Sequence, residues 1–421
     1  MTKRGRIISL IISICIFVAG IEVALRLLPQ AVPLELLQHF HEELRLAVAV
    51  KRDLPNRTDI SSIERDDGGP PFWKYRANES VSMDFGDEGA TVTIVTDELG
   101  FCNPSTSAYS RNTIEILAIG DSLTWCTAVP SDKTWIEFTG IELGRSVYNL
   151  GYPGIGLYEY LVILRTFGLA KSPDMVIMNF TEGNDLRDAL RYWRFKTSAS
   201  ADVEDTTVDH SSLTKIIGPH SYTYNLVLAI IQEWMFPHAV EVGPQNTVAD
   251  SRLASIDRKS LNFRYTLDFG NVEVPFNIRN ADKDELQHAI VVAEGLVSFD
   301  VFDDAFAEFA KLAEEYDFIP VITYSPSANT AYERYAIYEQ PWVGAVLHTY
   351  SEQLRQAIAQ KAAESGFYYL DLTEPLRAAI ESQGDRKAET LLYYPGSVHF
   401  SIEGNRVIGD ELAAFIKKIP Q

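Results

Sequence analysis

The sequence predicts an α/β fold in which helices cover both faces of a mostly parallel sheet. From about residue 92 onward, short apolar runs of strand length alternate with segments of helical periodicity. Short helical crossovers between such runs imply parallel neighbours. The 421 residues are 46% hydrophobic and 23% charged, which supplies a core and excludes disordered, collagen-like and disulfide-scaffold classes.

Five apolar runs are predicted to be buried strands. They are Ile114–Ile119, Val147–Leu150, Met175–Phe180, Phe318–Tyr324 and Phe367–Leu372. Between them, apolar residues share helical faces: Leu157, Leu161 and Leu164; Phe302, Phe306 and Phe309; and Leu354 with Ile358. Ser401 is predicted to cap the final helix, whose first turn holds Glu403 and which Pro420 ends.

Residues 195–290 interrupt this alternation. An acidic stretch, Asp202–Asp209, is followed by a predicted helix at Tyr222–Phe236 and by one or two strands within Phe263–Ile278. We therefore expect an insertion into the 92–418 domain at about 195–290, and this insertion could cap a site.

The N-terminus predicts export. Lys3, Arg4 and Arg6 precede an uncharged run, Ile7–Ile21, and basic residues stay on the cytoplasmic side of a membrane. Residues 1–28 are therefore expected to form a signal-anchor or transmembrane helix, with 29–91 as a stalk. Without a clean A-x-A site, an uncleaved anchor is favoured over a cleaved signal peptide. The membrane is thus a predicted partner, and the domain is expected to be extracytoplasmic, in the periplasm or at the cell surface.

The charge balance limits the classes of partner that this protein is expected to bind. With 37 Lys and Arg against 58 Asp and Glu, the chain carries −21, and no local basic stripe offsets it. A field of this sign repels phosphate backbones, so nucleic acid is not an expected partner. Polyanionic substrates are disfavoured for the same reason, and a neutral ester or glycan is expected.

The strongest chemical signal is the string Gly120-Asp121-Ser122-Leu123, which directly follows the first predicted strand. A serine at the carboxyl end of a parallel strand lies where α/β active sites form. Gly120 permits a tight turn, and the N-terminus of a following helix would offer N–H groups to an oxyanion. The alternative is an ordinary turn that joins strand and helix.

Three further elements lie beyond later strands. Gly154 lies in a glycine-rich turn, Asn184 in Glu182-Gly183-Asn184-Asp185, and His399 between the last strand and the last helix. A plain turn and a helix N-cap are the alternatives for Gly154 and Asn184. The glycine order is not the dinucleotide fingerprint, and three cysteines form no Cys-rich zinc site, so no cofactor or metal is expected.

Ser122, Gly154, Asn184 and His399 resemble, in order and context, the four blocks of the SGNH (GDSL-type) hydrolases. The resemblance covers roughly 92–190 and 290–418, and Thr96–Phe101 looks like the membrane-anchored branch. It implies a three-layer α/β/α, flavodoxin-like fold and ester hydrolysis through an acyl-serine. By this resemblance, Ser122 is the nucleophile and His399 the base. The Ser122 N–H, the Gly154 N–H and the Asn184 side chain then form the oxyanion hole.

One position departs from that family. An aspartate usually precedes the histidine by two or three residues, where this chain has Ser397 and Gly396. A triad carboxylate orients the imidazole, so its absence leaves three options. A backbone carbonyl or Ser397 orients His399 in a Ser–His dyad, a distant acid such as Glu403 or Asp371 substitutes, or the protein is weakly active or inactive. Asp371 is expected to have a structural role.

Cys102 and Cys126 stand where the resembled branch usually has arginine and glycine. Because both departures fall on cysteine, we hypothesise a disulfide, which an exported location would permit. The alternative is two independent small buried residues.

The sequence therefore predicts an exported, membrane-anchored serine esterase. Its expected substrate is a small-molecule, lipid or carbohydrate ester, with O-acyl groups on carbohydrate or lipid favoured. One rival is an O-acyltransferase of cell-surface polysaccharide that uses the same site. The other is a catalytically inactive binding or scaffold protein on the same fold.

Overall fold

The computed structural model describes most of the chain, and the following account refers to these residues. They are 3–28, 32, 40, 44, 57–60, 67, 69, 72–83, 92–104, 114–201, 217, 218, 220–235, 256, 261–277, 283–383, 390–397 and 399–420. The chain divides into two compact units, which we describe separately. The first comprises Met1–Tyr75 and Lys196–Glu241, and the second comprises Arg76–Phe195 and Val242–Gln421.

Strands and helices are numbered in chain order. The strands are β1 (Arg57–Asp59), β2 (Trp73–Tyr75), β3 (Ser80–Met83), β4 (Val92–Val95), β5 (Ile116–Ile119), β6 (Val147–Asn149), β7 (Met175–Thr181), β8 (Tyr265–Asp268), β9 (Glu273–Phe276), β10 (Ile319–Ser325), β11 (Ala336–Tyr338) and β12 (Tyr368–Asp371). The α-helices are α1 (Lys3–Leu27), α2 (Trp135–Leu143), α3 (Leu157–Ile163), α4 (Asp185–Ala201), α5 (Tyr222–Met235), α6 (Lys283–Ala293), α7 (Asp303–Tyr316), α8 (Ala328–Ala331), α9 (Pro341–Glu364), α10 (Thr373–Ser382) and α11 (Ile402–Ile416).

In the first unit, α1 packs against α5. The carboxylate of Glu22 accepts hydrogen bonds from the backbone N–H groups of Tyr222 and Thr223, at 3.2 and 2.8 Å. These are N–H groups that the first turn of a helix leaves unpaired, so Glu22 caps α5 from the neighbouring helix. Arg26 pairs with Glu22 across one helical turn at 2.8 Å.

The N-terminal segment is helical where a helix was predicted, over Lys3–Leu27. Contrary to the predicted transmembrane helix, the part of the chain that the structure describes contains no helix long and apolar enough to cross a membrane. The predicted stalk, 29–91, lies largely outside the described residues, and its described portion includes β1, β2 and β3.

The second unit is built on a five-stranded parallel sheet with the order β12-β10-β7-β5-β6. In chain order this is the 2-1-3-4-5 arrangement of flavodoxin-like folds, with a topological switch point between β5 and β7. Every residue of β5, β6 and β7 is buried, so both faces of the sheet are covered. The prediction of an α/β fold with a mostly parallel sheet is confirmed.

Each of the five predicted strands overlaps an observed strand of this sheet. The predicted helices are also present, and Ser401 caps α11 by accepting a hydrogen bond from the Gly404 N–H at 3.1 Å. One expectation is wrong, because no regular helix follows Ser122. Residues 121–128 form successive turns, and α2 begins only at Trp135.

The predicted insertion is only partly described, and Asp202–Asp209 lies outside the described residues. Its helix is α5, in the first unit, and its two strands are β8 and β9, in the second. β8 pairs antiparallel with β9 on one side and with β11 on the other. This three-stranded sheet, β11-β8-β9, contributes residues to the candidate site.

Candidate active site

The loop after β5 carries Ser122 to the carboxyl edge of the sheet. Gly120 is required there, because a Cβ would lie 2.1 Å from the Thr124 hydroxyl oxygen. The carbonyl of Asp121 then accepts hydrogen bonds from the N–H groups of Thr124 and Trp125, at 3.2 and 3.0 Å. This single tight turn, rather than a helix, fixes the serine at the switch point of the sheet.

Ser122 and His399 are in direct contact. The His399 Nε2 atom lies 2.9 Å from the Ser122 Oγ atom, although the two residues are 277 positions apart in the chain. Tyr394 N–H donates to the His399 carbonyl at 2.8 Å, and Tyr393 and Phe400 form a β-bridge. These contacts close the segment before α11 into a narrow loop that holds the imidazole against the serine.

His399 is held in its neutral, basic form. Burial lowers the pKa of His399 to about 4, while a hydrogen bond with the Ser397 backbone raises it. A hydrogen bond that raises an imidazole pKa stabilises the cation, so the backbone group involved is an acceptor, the Ser397 carbonyl. This backbone acceptor lies two residues before His399, at a position where the resembled family usually has a carboxylate.

Neither distant acid takes that place. Asp371 accepts hydrogen bonds from Arg355 Nε at 2.7 Å and from the Thr373 N–H at 2.8 Å, at the start of α10. Its role is therefore structural, as expected. Glu403 is half exposed and lies 3.4 Å from Arg406 on α11. Within the described part of the chain, neither carboxylate is hydrogen-bonded to His399.

Asn184 and Gly154 line the same cavity as Ser122 and His399. Gly154 adopts the left-handed conformation, with φ of 79°, which favours glycine. The Asn184 Nδ2 atom donates to Asp121 Oδ2 at 2.9 Å, and its Oδ1 atom is buried without a hydrogen-bond partner. Asn184 therefore does not cap α4 with its side chain, and the second N–H of its amide can serve a ligand.

Asp121 is a site residue that the sequence did not single out. Its carboxylate is fully buried and accepts from the Leu123 N–H, from Thr181 Oγ1 and from Asn184 Nδ2, each at 2.9 Å. Burial raises the pKa of Asp121, and these three hydrogen bonds act against that rise. The sequence signal that could have identified Asp121 is its position beside Ser122 in the Gly-Asp-Ser string.

The cavity has a volume of about 230 Å³. Its lining includes aromatic rings from β8, from the residues just before β8 and from the segment before α11, together with polar side chains from α4, α6, α8 and the loops after β9 and β10. Besides the residues already described, the lining includes Arg187, Phe263, Tyr265, Asn277, Asp284, Glu285, Ser327, Asn329 and Tyr393.

Two features of the lining were missed by the sequence reasoning. Arg187 makes a two-point contact with the buried carboxylate of Asp188, at 3.0 and 2.8 Å, and lies 3.5 Å from Asp284. Burial lowers the pKa of Arg187, but these carboxylates outweigh it and raise the pKa overall, so the guanidinium stays charged. Asn277, which follows β9 with φ of 47°, donates its N–H to the Pro395 carbonyl at 2.9 Å. The hairpin of the insertion is thereby fastened to the His399 loop.

Cys102 and Cys126 form a disulfide, as hypothesised, with their Cα atoms 6.1 Å apart. Both residues are fully buried. The bond joins the segment that leads toward β5 to the turns that follow Ser122. Within the described ranges, no group of three or more His, Cys, Asp or Glu side chains is arranged to hold a metal ion.

No family model matches the chain, and no curated protein matches it. The solved structures that resemble it include proteins named as SGNH or GDSL hydrolases. A lipolytic protein of the G-D-S-L family from Desulfitobacterium hafniense DCB-2 is 14% identical, with 72% of this chain and 99% of that chain covered and a TM-score of 0.34. An SGNH hydrolase from Slackia heliotrinireducens is 16% identical over 72% and 99%, with a TM-score of 0.32.

An acetylxylan esterase from Geobacillus stearothermophilus is 12% identical to this chain, with 72% of this chain and 94% of that chain covered. Its TM-score is 0.33. Likenesses at this level carry no argument about the chemistry of this chain or about a membrane-anchored branch. The functional argument therefore rests on the geometry of the site.

Proposed function

We propose that this protein is a serine esterase of the SGNH type. The observation that carries the proposal is the 2.9 Å contact between Ser122 Oγ and His399 Nε2 in a cavity at the switch point of the sheet. A serine hydroxyl is a weak nucleophile until a base within hydrogen-bond reach accepts its proton. Burial keeps His399 neutral above about pH 4, so that base is available at neutral pH.

The proposed reaction has two halves. Ser122 Oγ attacks the acyl carbonyl as its proton moves to His399 Nε2. The tetrahedral oxyanion then receives hydrogen bonds from the Ser122 N–H, the Gly154 N–H and the Asn184 amide. Collapse expels the alcohol, which takes the proton from His399, and leaves an acyl-serine. Water, deprotonated by His399, attacks this ester, and collapse releases the acid while the proton returns from His399 to Ser122 Oγ.

In this mechanism His399 works in a dyad. The Ser397 carbonyl fixes the orientation of the ring and partly stabilises the imidazolium that forms during each half-reaction. A neutral carbonyl stabilises a cation less than a carboxylate does. We therefore expect lower turnover than in a triad, with the same order of steps.

The lining supports a small acyl group on a carbohydrate as the substrate. The lining combines the rings of Phe263, Tyr265 and Tyr393 with the amides of Asn277 and Asn329, and this combination suits a sugar with its apolar faces and hydroxyl groups. A volume of about 230 Å³ favours a short acyl chain over a long one. The charge of −21 disfavours a polyanionic glycan.

An extracytoplasmic location is part of the proposal. The Cys102–Cys126 disulfide supports it, because such bonds persist in oxidising compartments. Basic residues before the apolar run Ile7–Ile21 support it as well. Attachment to a membrane through that run rests on the sequence alone.

Turnover of 4-nitrophenyl acetate by the full chain tests the proposal. We expect Ser122→Ala and His399→Ala to lower kcat/KM by on the order of 10³-fold or more, because the nucleophile and its base act as a unit. Ser382→Ala, an exposed serine on α10, should leave the rate unchanged. Wild type no faster than Ser122→Ala would leave only the binding or scaffold role. Transfer of acetyl to an added glycan would instead identify an acyltransferase.

A further inference from the structure

A buried carboxylate lies behind the oxyanion side of the site. Glu182 directly follows β7, two residues before Asn184, and is fully buried. Nothing in the proposed reaction uses it. Its surroundings nevertheless connect the loop that carries Asn184 to the loop after β10, which lines the same cavity.

The side chain of Glu182 accepts hydrogen bonds from several elements. Thr330 Oγ1 on α8 donates to Oε1 at 2.5 Å, and Tyr324 OH on β10 donates to Oε2 at 3.0 Å. Ser351 Oγ on α9 donates to Oε2 at 3.3 Å, and the Ser327 backbone donates as well. Three of these partners are hydroxyls and the fourth is a backbone N–H, and all four can donate to the ionised carboxylate at once.

The backbone of Glu182 is tied to the same elements. Its N–H donates to the Ser325 carbonyl at 3.0 Å, and its carbonyl accepts from Tyr350 OH at 2.7 Å. The adjoining Gly183 is so close to the facing loop that a Cβ would lie 3.2 Å from Ser327 Oγ. Gly183, Asn184, Ser327 and Asn329 all line the cavity. Glu182 thus joins the two loops that form its polar side.

We propose that Glu182 is a positioning residue whose ionised carboxylate holds the Asn184 loop against the loop after β10, and whose protonation loosens that contact and lowers turnover. This inference rests on the proposed esterase function. The protonated carboxyl is itself a donor, so one of the hydroxyls that face it would have to turn and accept, and its own hydrogen bond to the carboxylate would be lost. The loop would then hold the Asn184 amide less firmly toward the oxyanion.

Glu182 can change its charge near neutral pH. Burial raises the pKa of Glu182 to about 7, although the hydrogen bonds from Thr330, Tyr324, Ser327 and Ser351 lower it. The ionised form therefore predominates above about pH 7, and its population falls progressively below that pH.

The tyrosines and the arginine near Glu182 keep one charge state near neutral pH. Burial raises the pKa values of the neighbouring tyrosines, which stay neutral, and the pKa of Arg355 is also raised, so it stays charged. Glu285 acts on two of the same tyrosines from α6. The tyrosines are Tyr324, Tyr338, Tyr350 and Tyr393. Since the pKa of His399 is about 4, a rate limb near pH 7 would not come from the base. Burial also raises the pKa values of the carboxyls of Asp121 and Asp185, so the loss of the rate limb in Glu182→Gln is what assigns that limb to Glu182.

The test is the pH profile of 4-nitrophenyl acetate hydrolysis by the full chain, followed by acetate release between about pH 5 and pH 9. We expect wild-type kcat to fall about tenfold, to a plateau, as the pH drops through a midpoint near 7, with KM little changed. Glu182→Gln should lose about tenfold in kcat and lose this limb, because the amide does not ionise. Glu315→Gln, the same change at an exposed position of α7, should behave as wild type.

A second variant keeps the carboxylate. Thr330→Val removes a hydrogen bond that lowers the pKa of Glu182, so the midpoint should move to higher pH. A limb that stays near 7 in Glu182→Gln, or a midpoint that is unmoved in Thr330→Val, would overturn the inference. The same holds if kcat of Glu182→Gln matches wild type throughout.

Failure of the esterase proposal is distinguishable from failure of this inference. In the former case wild type is no faster than Ser122→Ala, and unfolding in urea then tests Glu182 directly. Its pKa is raised on folding from 4.5 to about 7, so wild type should lose stability relative to Glu182→Gln as the pH rises through that interval. A stability difference that does not change with pH would overturn the assignment of Glu182 as the titrating group.

Discussion

At the scale of single residues, Asp121 decides how Asn184 is presented. The amide of Asn184 has two N–H donors, and Asp121 Oδ2 takes one of them at 2.9 Å. Leu123 and Thr181 hold the other oxygen of Asp121, so the carboxylate does not rotate freely. In the proposed mechanism, the second N–H of Asn184 stabilises the oxyanion. The residue beside Ser122 thus holds a side chain that lies 63 positions later in the chain.

Asp121→Asn tests this arrangement. An amide placed with its oxygen toward Leu123 and Thr181 turns its N–H₂ group toward the Asn184 amide, so two donors would face each other. We expect kcat for 4-nitrophenyl acetate to fall by on the order of 10²-fold with little change in KM, as when an oxyanion donor is lost.

The matched control is Asp410→Asn, the same substitution at an exposed position of α11. It should retain the wild-type kcat. A kcat for Asp121→Asn within about twofold of wild type would show that Asn184 is positioned without Asp121.

At the scale of elements, α11 and its cap keep the His399 loop in place. Ser401, two residues after the histidine, accepts from the Gly404 N–H, and its own N–H donates to the Leu392 carbonyl at 2.9 Å. Asn405 Oδ1 on α11 accepts from the N–H of Trp135, the first residue of α2, at 2.9 Å. One helix therefore closes the His399 loop at its N-terminus and caps a second helix from its side.

Ser401→Ala should lower the free energy of unfolding by about 1 kcal/mol, because the Gly404 N–H loses its acceptor at a buried helix N-terminus. Urea denaturation of the full chain measures the change. Ser401→Thr keeps a hydroxyl oxygen in the same place and should cost a few tenths of a kcal/mol at most. Equal losses in the two variants would mean that packing, rather than capping, is responsible.

The elements were also the part of the fold that local sequence predicted well. Apolar runs gave all five sheet strands, since strands buried on both faces need continuous apolar residues. The turns after Ser122 were missed because capping and glycine signals predict that a helix begins there, whereas contacts with Asn149, Asn179 and Thr181 shape the loop. Those three residues lie on other strands, so no local pattern reports them.

At the scale of the whole molecule, the Cys102–Cys126 disulfide restrains the loop that carries Ser122. Cys126 lies four residues after Ser122, and Cys102 lies on the approach to β5. The bond closes a chain segment with a sequence separation of 24 around that strand. The bond therefore restricts the conformations of the unfolded chain. It also restrains the loop that carries Ser122 in the folded protein.

Cys102→Ala/Cys126→Ala should lower the free energy of unfolding by about 3 kcal/mol, the entropy cost expected for a loop of this length. Urea denaturation measures it, with Cys15→Ala, the third cysteine of the sequence, as control. Alkylation of unfolded, unreduced wild type should label one thiol. Labelling of all three would contradict the disulfide.

The sequence by itself determined the class of fold, the strands of the sheet, and the serine and histidine of the candidate site. These follow from local patterns, because apolar runs, caps and strand-end motifs involve residues near one another in the chain. Tertiary structure alone decided the Asp121–Asn184 pair and the hydrogen bonds of Glu182, and it selected the Ser397 backbone from the options that the sequence left open for His399. The donors on Tyr324 and Ser351 lie 142 and 169 residues from Glu182, and only the packing of distant elements brings them within hydrogen-bond distance.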